Sequence, residues 1–192
     1  MIAVKLKGGL GNQMFQYAFG RSLAIKNNTG LFLDLSYLKD RTKKVFFQFR
    51  DFELNIFNIT SEVVENCVQD NLTVQKERHF HFEPEALDYP DNSYLDGYWQ
   101  SEKYFKLFEK EIRNDFTFKN KLPDVAQGLT EKILDTNSIC LHIRRGFTNN
   151  IKDRIYHGFA GMDYYNQSIE LMKSRIKNPV FYVFSDNQEW CK

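Results

Sequence analysis

The sequence predicts an α/β protein, and two stretches predict it independently. Residues 2–6, Ile-Ala-Val-Lys-Leu, form a short apolar run that enters a glycine-rich turn at 7–12. From 13 to 26 the apolar Met14, Phe15, Tyr17, Ala18, Leu23 and Ile25 fall at helical spacing, and 31–35 is a second apolar run. The same order returns later in the chain. An apolar run at 138–143 is followed by an amphipathic stretch at 162–176, carrying Tyr165, Ile169, Leu171 and Met172, and by a run at 179–184. Strand, helix, strand in that order marks a parallel sheet. The 192 residues are 42% hydrophobic and 16% aromatic, enough to build a core, which excludes a disordered chain.

Taken in order, Asn27-Asn28-Thr29-Gly30 supplies stop chemistry for the first helix. The opening unit admits two ligand readings and a plain one. Gly9, Gly11 and Asp34 stand about where a dinucleotide-binding turn and its ribose-binding acid belong, but that fingerprint needs a third glycine where Met14 sits. The alternative uses the flexible turn and the Asn12 side chain to line a cleft for a polar ligand. The plain reading is a tight turn with a helix cap. Residues 39–50 set Lys39, Arg41, Lys43, Lys44 and Arg50 among Val45, Phe46, Phe47 and Phe49. Such a run is more often a solvated loop than a contact with an acidic membrane surface or a charged acceptor.

Residues 52–59 read as a strand or turn, 61–68 as a capped short helix and 74–82 as a strand; 83–92 is turn-rich, with Pro84 and Pro90. The strand at 93–100 ends in Tyr98 and Trp99, which are either core or a face on which a sugar stacks. Ser101 caps a helix predicted to reach about Asp115, and another is predicted at about 125–135. Pro123 and the polar Asp135-Thr136-Asn137 then mark a boundary between domains 1–136 and 137–192. The second domain has a long polar loop at 144–161 and only two strands with one helix between them. That set cannot bury both faces of a sheet. The expectation is an incomplete second domain, its remainder lying past Lys192.

The net charge of +1 gives no support for a polyanion binder, so nucleic acid is not an expected partner. Cys67, Cys140 and Cys191 are too few and too scattered for a disulfide framework, which fits a reducing compartment. No metal is expected: His79 and His81 share a strand face but lack a third ligand nearby. No apolar run has the length of a signal or membrane segment, so the chain is expected in the cytoplasm.

The most informative stretch is Ser138-Ile139-Cys140-Leu141-His142-Ile143-Arg144-Arg145-Gly146. It reads as a buried strand that delivers one histidine and two arginines into a glycine. Guanidinium groups are costly to bury unpaired, so two at a strand's carboxyl end point to a site for an anion. Alternation puts His142 and Arg144 on one face and Arg145 on the other. Arginine's planar fork suits a diphosphate; a salt bridge between structural elements is the competing reading. Ser185 and Asp186, past the next strand, belong to the same sheet edge.

Four motifs, in order, resemble one family. Gly8-Gly9-Leu10-Gly11-Asn12-Gln13-Met14-Phe15-Gln16-Tyr17-Ala18 resembles the amino-terminal motif of the α-1,2-fucosyltransferases of glycosyltransferase family 11. Gly97-Tyr98-Trp99-Gln100-Ser101-Glu102-Lys103-Tyr104-Phe105, His142-Ile143-Arg144-Arg145-Gly146 and the stretch from Phe184 to Lys192 are similar to further family signatures. The resemblance implies a GT-B-like fold of two Rossmann-type domains, the first on the acceptor side and the second binding the GDP-sugar. It also implies an inverting, metal-independent transfer of fucose from GDP-fucose to the 2-hydroxyl of a β-galactoside, in bacterial surface-glycan (lipopolysaccharide) synthesis, with peripheral contact at the inner membrane face. Arg144 is then the residue holding the donor's β-phosphate, with His142, Arg145 and Ser185 beside it and Asp186 toward guanine or ribose. Asn12 faces the transferred sugar and shares the catalytic role with Arg144. Asp163 and Glu102 are the carboxylates considered for a base. A catalytically inactive nucleotide-sugar-binding relative is the alternative. One departure stands out: the family's motif continues with Asp after the glycine, whereas Phe147 follows Gly146 here.

Overall fold

The computed structural model describes residues 1–42, 49–65, 71–145, 158 and 160–191. It comprises two compact units, Met1–Lys121 and Leu122–Lys192. In the first, strand β1 (Ile2–Lys5) leads through the glycine turn into helix α1 (Leu10–Lys26) and strand β2 (Leu31–Asp34). Strands β3 (Glu62–Val64), β4 (Thr73–Lys76) and β5 (Ser93–Asp96) complete a five-stranded sheet of order β3-β2-β1-β5-β4, with every pair parallel. Ile2 lies opposite Leu31 on one side and Ser93 on the other. As the central strand of a parallel sheet, β1 buries consecutive residues, and Ile2, Ala3 and Val4 are all inaccessible to solvent.

An aromatic cluster closes the core beside α1. Phe19 lies 4.8 Å from both Trp99 and Tyr104, ring centre to ring centre, and Trp99 meets Tyr104 edge-on. Trp99 is therefore core, whereas its neighbour Tyr98 stays half-exposed. A second tie is polar. The Tyr17 hydroxyl donates to Asp115 Oδ2 (2.7 Å) and accepts from the Thr60 N–H (2.9 Å), while Arg21 Nε donates to the same carboxylate oxygen at 2.9 Å. This buried knot joins α1 to helix α2 (Glu109–Asp115) and to the chain entering β3.

Two expectations fail here, and the turn reading of 52–59 holds. Residues 61–65 include a strand, β3, not a helix: Val63 and Val64 are β-branched and pair with the exposed edge of β2. The rest of that expected helix, 66–68, lies outside the described residues. The stretch 52–59, expected as a strand or turn, holds the 3₁₀ turn Leu54–Ile56. The helix expected from Ser101 breaks into 3₁₀ turns at Glu102–Tyr104 and Lys106–Phe108 before α2 begins; the backbone leaves the helical path at Phe105, where φ is −133°, just after the buried Tyr104.

The second unit contains helix α3 (Asp124–Leu134), strand β6 (Asn137–Ile143), helix α4 (Met162–Arg175) and strand β7 (Pro179–Ser185). Strands β6 and β7 pair in parallel from Asn137 opposite Pro179 to Ile143 opposite Ser185. Helix α3 belongs with them: the Tyr182 hydroxyl donates to the Lys132 carbonyl at 3.1 Å. The division at Lys121 and Leu122 consequently precedes the boundary expected at 136 and 137. The expectation of a buried β6 also fails. Of its residues only Ile143 is buried, because a two-stranded sheet has too little to cover it.

Two stability measurements follow. Tyr17→Phe leaves Asp115 and the Thr60 N–H short of a partner and should lower the unfolding free energy by about 1–3 kcal/mol in urea titration. Burial, reinforced by the charge of Glu77, pushes the Tyr104 hydroxyl up to about 12 from an ordinary 10.0. A raised pKa contributes stability that is complete below the unfolded value and lost above it. The chain should therefore lose stability between pH 10 and about 12, and Tyr104→Phe should lose less over that window.

Candidate functional site

In the second unit, the parallel register carries the two strand ends to one edge. Ile143 stands beside Ser185, so Arg144 and Arg145 emerge next to Ser185 and Asp186. The contact is direct: the Arg145 N–H donates to Asp186 Oδ1 at 2.6 Å. The Arg145 guanidinium lies 4.0 Å from the centre of the Trp190 ring, a cation–π stack that leaves the side chain half-buried. Trp190 is anchored in turn, its N–H donating to Asn187 Oδ1 at 3.0 Å, and Ser185 Oγ accepts from the Asn187 N–H at 2.9 Å. Exposure alternates across the strand end, with His142 and Arg144 exposed and Ile143 between them buried.

The structure thus brings together His142, Arg144, Arg145, Ser185 and Asp186 at one sheet edge. Arg145 supplies a stacked, partly covered cation and Arg144 an exposed one. Asp186 spends one oxygen as a clamp on the arginine backbone, a use that its position in the sequence did not disclose. Gly146 and the residues after it, up to 157, lie outside the described residues, and so does the departure at Phe147.

In the first unit, Asn12 sits at the start of α1. Its amide leans across Gly8, whose φ of +80° and want of a side chain permit it: a Cβ there would lie 2.3 Å from Asn12 Nδ2. Asn12 Oδ1 accepts from Gln100 Nε2 at 2.6 Å. In the same unit, Lys7 Nζ meets Asp96 Oδ1 at 2.8 Å and Lys5 Nζ meets Asp96 Oδ2 at 3.2 Å. Partial burial opposes ionisation of Asp96, but the bonds and charge of Lys7 and Lys5 outweigh it and hold the carboxyl below its usual range. Tyr98 lies 4.8 Å from Lys7 Nζ. Sequence reading singled out Asn12 and Tyr98 but missed Lys5, Lys7, Asp96 and Gln100. The available signal was a pair of lysines two apart at the end of an apolar strand.

Other sequence candidates separate. Asp34 is buried and fully engaged, accepting from the Ser36 N–H (2.8 Å) and the Tyr94 hydroxyl (2.7 Å), so it is a structural acid that no ribose reaches. Glu102 is exposed on the lip of an apolar groove of about 300 Å³ formed by Met14, Phe15, Phe105 and Phe116. Asp163 is exposed in the first turn of α4. Lys39 pairs with Glu65, and Arg41 with Asp51, so carboxylates already meet two cations of the basic run. Residues 43–48 of that run lie outside the described residues. Cys140 and Cys191 are free thiols, and Cys67 lies outside the described residues. Among the described residues no three His, Cys, Asp or Glu side chains gather into a metal-binding group, and no helix is long and apolar enough to cross a membrane.

Comparison with known proteins draws these surfaces into one family. Residues 1–192 match the profile described as glycosyl transferase family 11. The chain is 37% identical to an alpha-1,2-colitosyltransferase of Escherichia coli, covering 100% of this chain and 71% of that protein. It is 31% identical to the O-antigen biosynthesis glycosyltransferase WbnK of Escherichia coli, over 97% of this chain and 73% of the relative. Against the galactoside alpha-(1,2)-fucosyltransferase 1 of Ateles belzebuth it is 27% identical and spans 50% of that protein's length. Among solved structures, the fucosyltransferase NodZ from Bradyrhizobium is similar over 98% of this chain and 72% of its own, at 12% identity and a TM-score of 0.49. With the profile matched over the whole length, the chain belongs to glycosyl transferase family 11.

Proposed function

We propose that this protein transfers L-fucose from GDP-fucose to the 2-hydroxyl of a β-galactoside, with inversion at the sugar's anomeric carbon and without a resident metal. Family membership supports a glycosyltransferase. The single observation that carries the finer reading is the sheet edge of the second unit, where Arg144 and Arg145 stand beside Asp186 at paired parallel strand ends. In the reaction the acceptor's O2 forms a bond to C1 of fucose as the bond from C1 to the diphosphate oxygen breaks. GDP leaves with the electron pair, and the hydroxyl proton passes to a base or to water. The departing diphosphate gains negative charge at its β-phosphate, and a fixed guanidinium stabilises that charge most if it is already in place. Arg144 takes this role, with His142 beside it, while Arg145, Ser185 and Asp186 frame the nucleotide and Asn12 faces the sugar. The setting is the synthesis of a bacterial surface glycan, in the cytoplasm at the inner membrane face.

A second donor is favoured by one finding, the 37% identity to an alpha-1,2-colitosyltransferase. Colitose is fucose without its 3-hydroxyl, so the same diphosphate site serves either sugar and the choice rests on contacts at C3.

Calorimetric titration of GDP, with UDP as control, tests the site. GDP should bind selectively, and Arg144→Ala should weaken it about 10- to 100-fold, the scale of a charged hydrogen bond. Transfer to lactose from GDP-fucose and from GDP-colitose, measured side by side, then assigns the donor. GDP binding with no transfer from either sugar would favour the catalytically inactive binder. Transfer from a UDP-sugar alone would reject the reading.

A further inference from the structure

A long arginine side chain loses much rotamer freedom when its head is held in one place, so a preorganised guanidinium needs both a fixed root and a fixed tip. Arg145 has both. Its root is set by the bond from its N–H to Asp186 Oδ1 at 2.6 Å, which fixes the main chain and leaves the direction of the side chain to other contacts. Its tip is set by Trp190, whose ring centre lies 4.0 Å from the guanidinium carbon. Stacking engages the face of a guanidinium, while the N–H donors lie in its plane and point outward from the edge. An aromatic ring thus aims an arginine without occupying the donors that grip a phosphate.

Trp190 is itself held on two sides. Residues 186–189 are exposed, and Trp190 after them is half-buried. Its ring meets Tyr165 of α4 edge-on, at 6.1 Å between centres, and Tyr165 is buried. Its N–H donates to Asn187 Oδ1 at 3.0 Å, and the Asn187 N–H donates to Ser185 Oγ at 2.9 Å, at the end of β7. The Cys191 thiol closes the turn by donating to the Asn187 carbonyl at 3.3 Å. The indole is therefore tied to a helix on one side and to a strand end on the other. Support of this kind is what holds a functional group to within about 0.5 Å of its working position. Helix α4, β7 and the turn after β7 together dictate where a side chain just past β6 points.

We infer that Trp190 is a positioning residue for the nucleotide's diphosphate: it acts through Arg145, whose guanidinium it aims at the anion, and Asn187 supports it in that task. The inference rests on the nucleotide reading of this sheet edge and deepens it. Use of the indole as a platform under guanine would make its contribution independent of Arg145, and a double-mutant cycle separates the two.

GDP affinity is measured by calorimetry, with folding checked by circular dichroism. Trp190→Leu keeps apolar bulk against Tyr165 and removes the aromatic face; it should weaken GDP about fivefold or more, the scale of a cation–π contact with a partly covered cation. Trp190→Phe keeps a ring and should recover most of that loss. In the Arg145→Ala background Trp190→Leu should cost nothing further, because a residue that works through Arg145 has no effect once Arg145 is gone. If Trp190→Leu unfolds, Asn187→Ala replaces it in the cycle. Asn187 is exposed, and loss of its bond to the Trp190 N–H should weaken GDP about threefold with Arg145 present and not without it. GDP affinity that ignores these variants, a Trp190→Phe no better than Trp190→Leu, or losses that multiply in the double variant overturn the inference. Losses that multiply leave the nucleotide reading intact, with Trp190 a platform for the base. Failure of wild type to bind GDP removes the nucleotide reading itself, and this inference with it.

Discussion

Two uncharged amides hold the amino-terminal unit in order. Gln16 is completely buried and accepts from the Lys7 N–H while donating to the Lys7 and Gly97 carbonyls. Gln13, equally buried, donates to the Gly8 and Asp51 carbonyls and accepts from the Glu53 N–H. A buried amide is costly unless its groups are matched, and here both amides are matched to main-chain groups that no strand or helix satisfies. Replacing either by an apolar residue of similar size would orphan the backbone of the glycine turn. From this pair follow the path of Lys7, the place of Gly97 and hence the whole carboxyl end of β1 and β5. Both glutamines lie inside the stretch that resembles the family's amino-terminal motif. In this chain two residues of that motif serve as a backbone splint.

The aromatic residues show how adjacent positions divide between core and surface. Tyr98 and Trp99 are sequence neighbours of similar bulk, and both readings, core and platform, were open for each. The turn after β5 resolves them in opposite directions because Trp99 takes a left-handed backbone, with φ +53°. No periodicity encodes that outcome. It depends on the Glu77 carboxylate 22 residues before Trp99, just past β4, which pairs with the turn because β4 and β5 are neighbours in the sheet.

The same distinction governs what could be read beforehand. The strand–helix–strand units were legible because apolar residues repeat at the right spacing, and β1, α1, β2, α4 and β7 emerge close to their expected limits. Arg144, Arg145 and Asp186 were legible as the edge of one sheet because each follows an apolar run. Strand β3 was not, since two of its three residues are exposed and carry no alternation. Nor was the Lys5–Asp96–Lys7 row, which joins residues some ninety positions apart and exists only through the pairing of β1 with β5. Local pattern reveals elements, while long-range charge pairs need register.

The clamp between Asp186 and the Arg145 N–H has a consequence for how such chains diverge. Arg144 is addressed by the β6–β7 ladder that ends beside it and by the Asp186 carboxylate, 41 positions further along the chain, that grips the N–H of Arg145. A single deletion within β6 ahead of His142 would carry His142 and Arg144 together to the other face of the sheet. The position of this charge is therefore written in the register of two strands, so a one-residue change of length inside them cannot be absorbed locally.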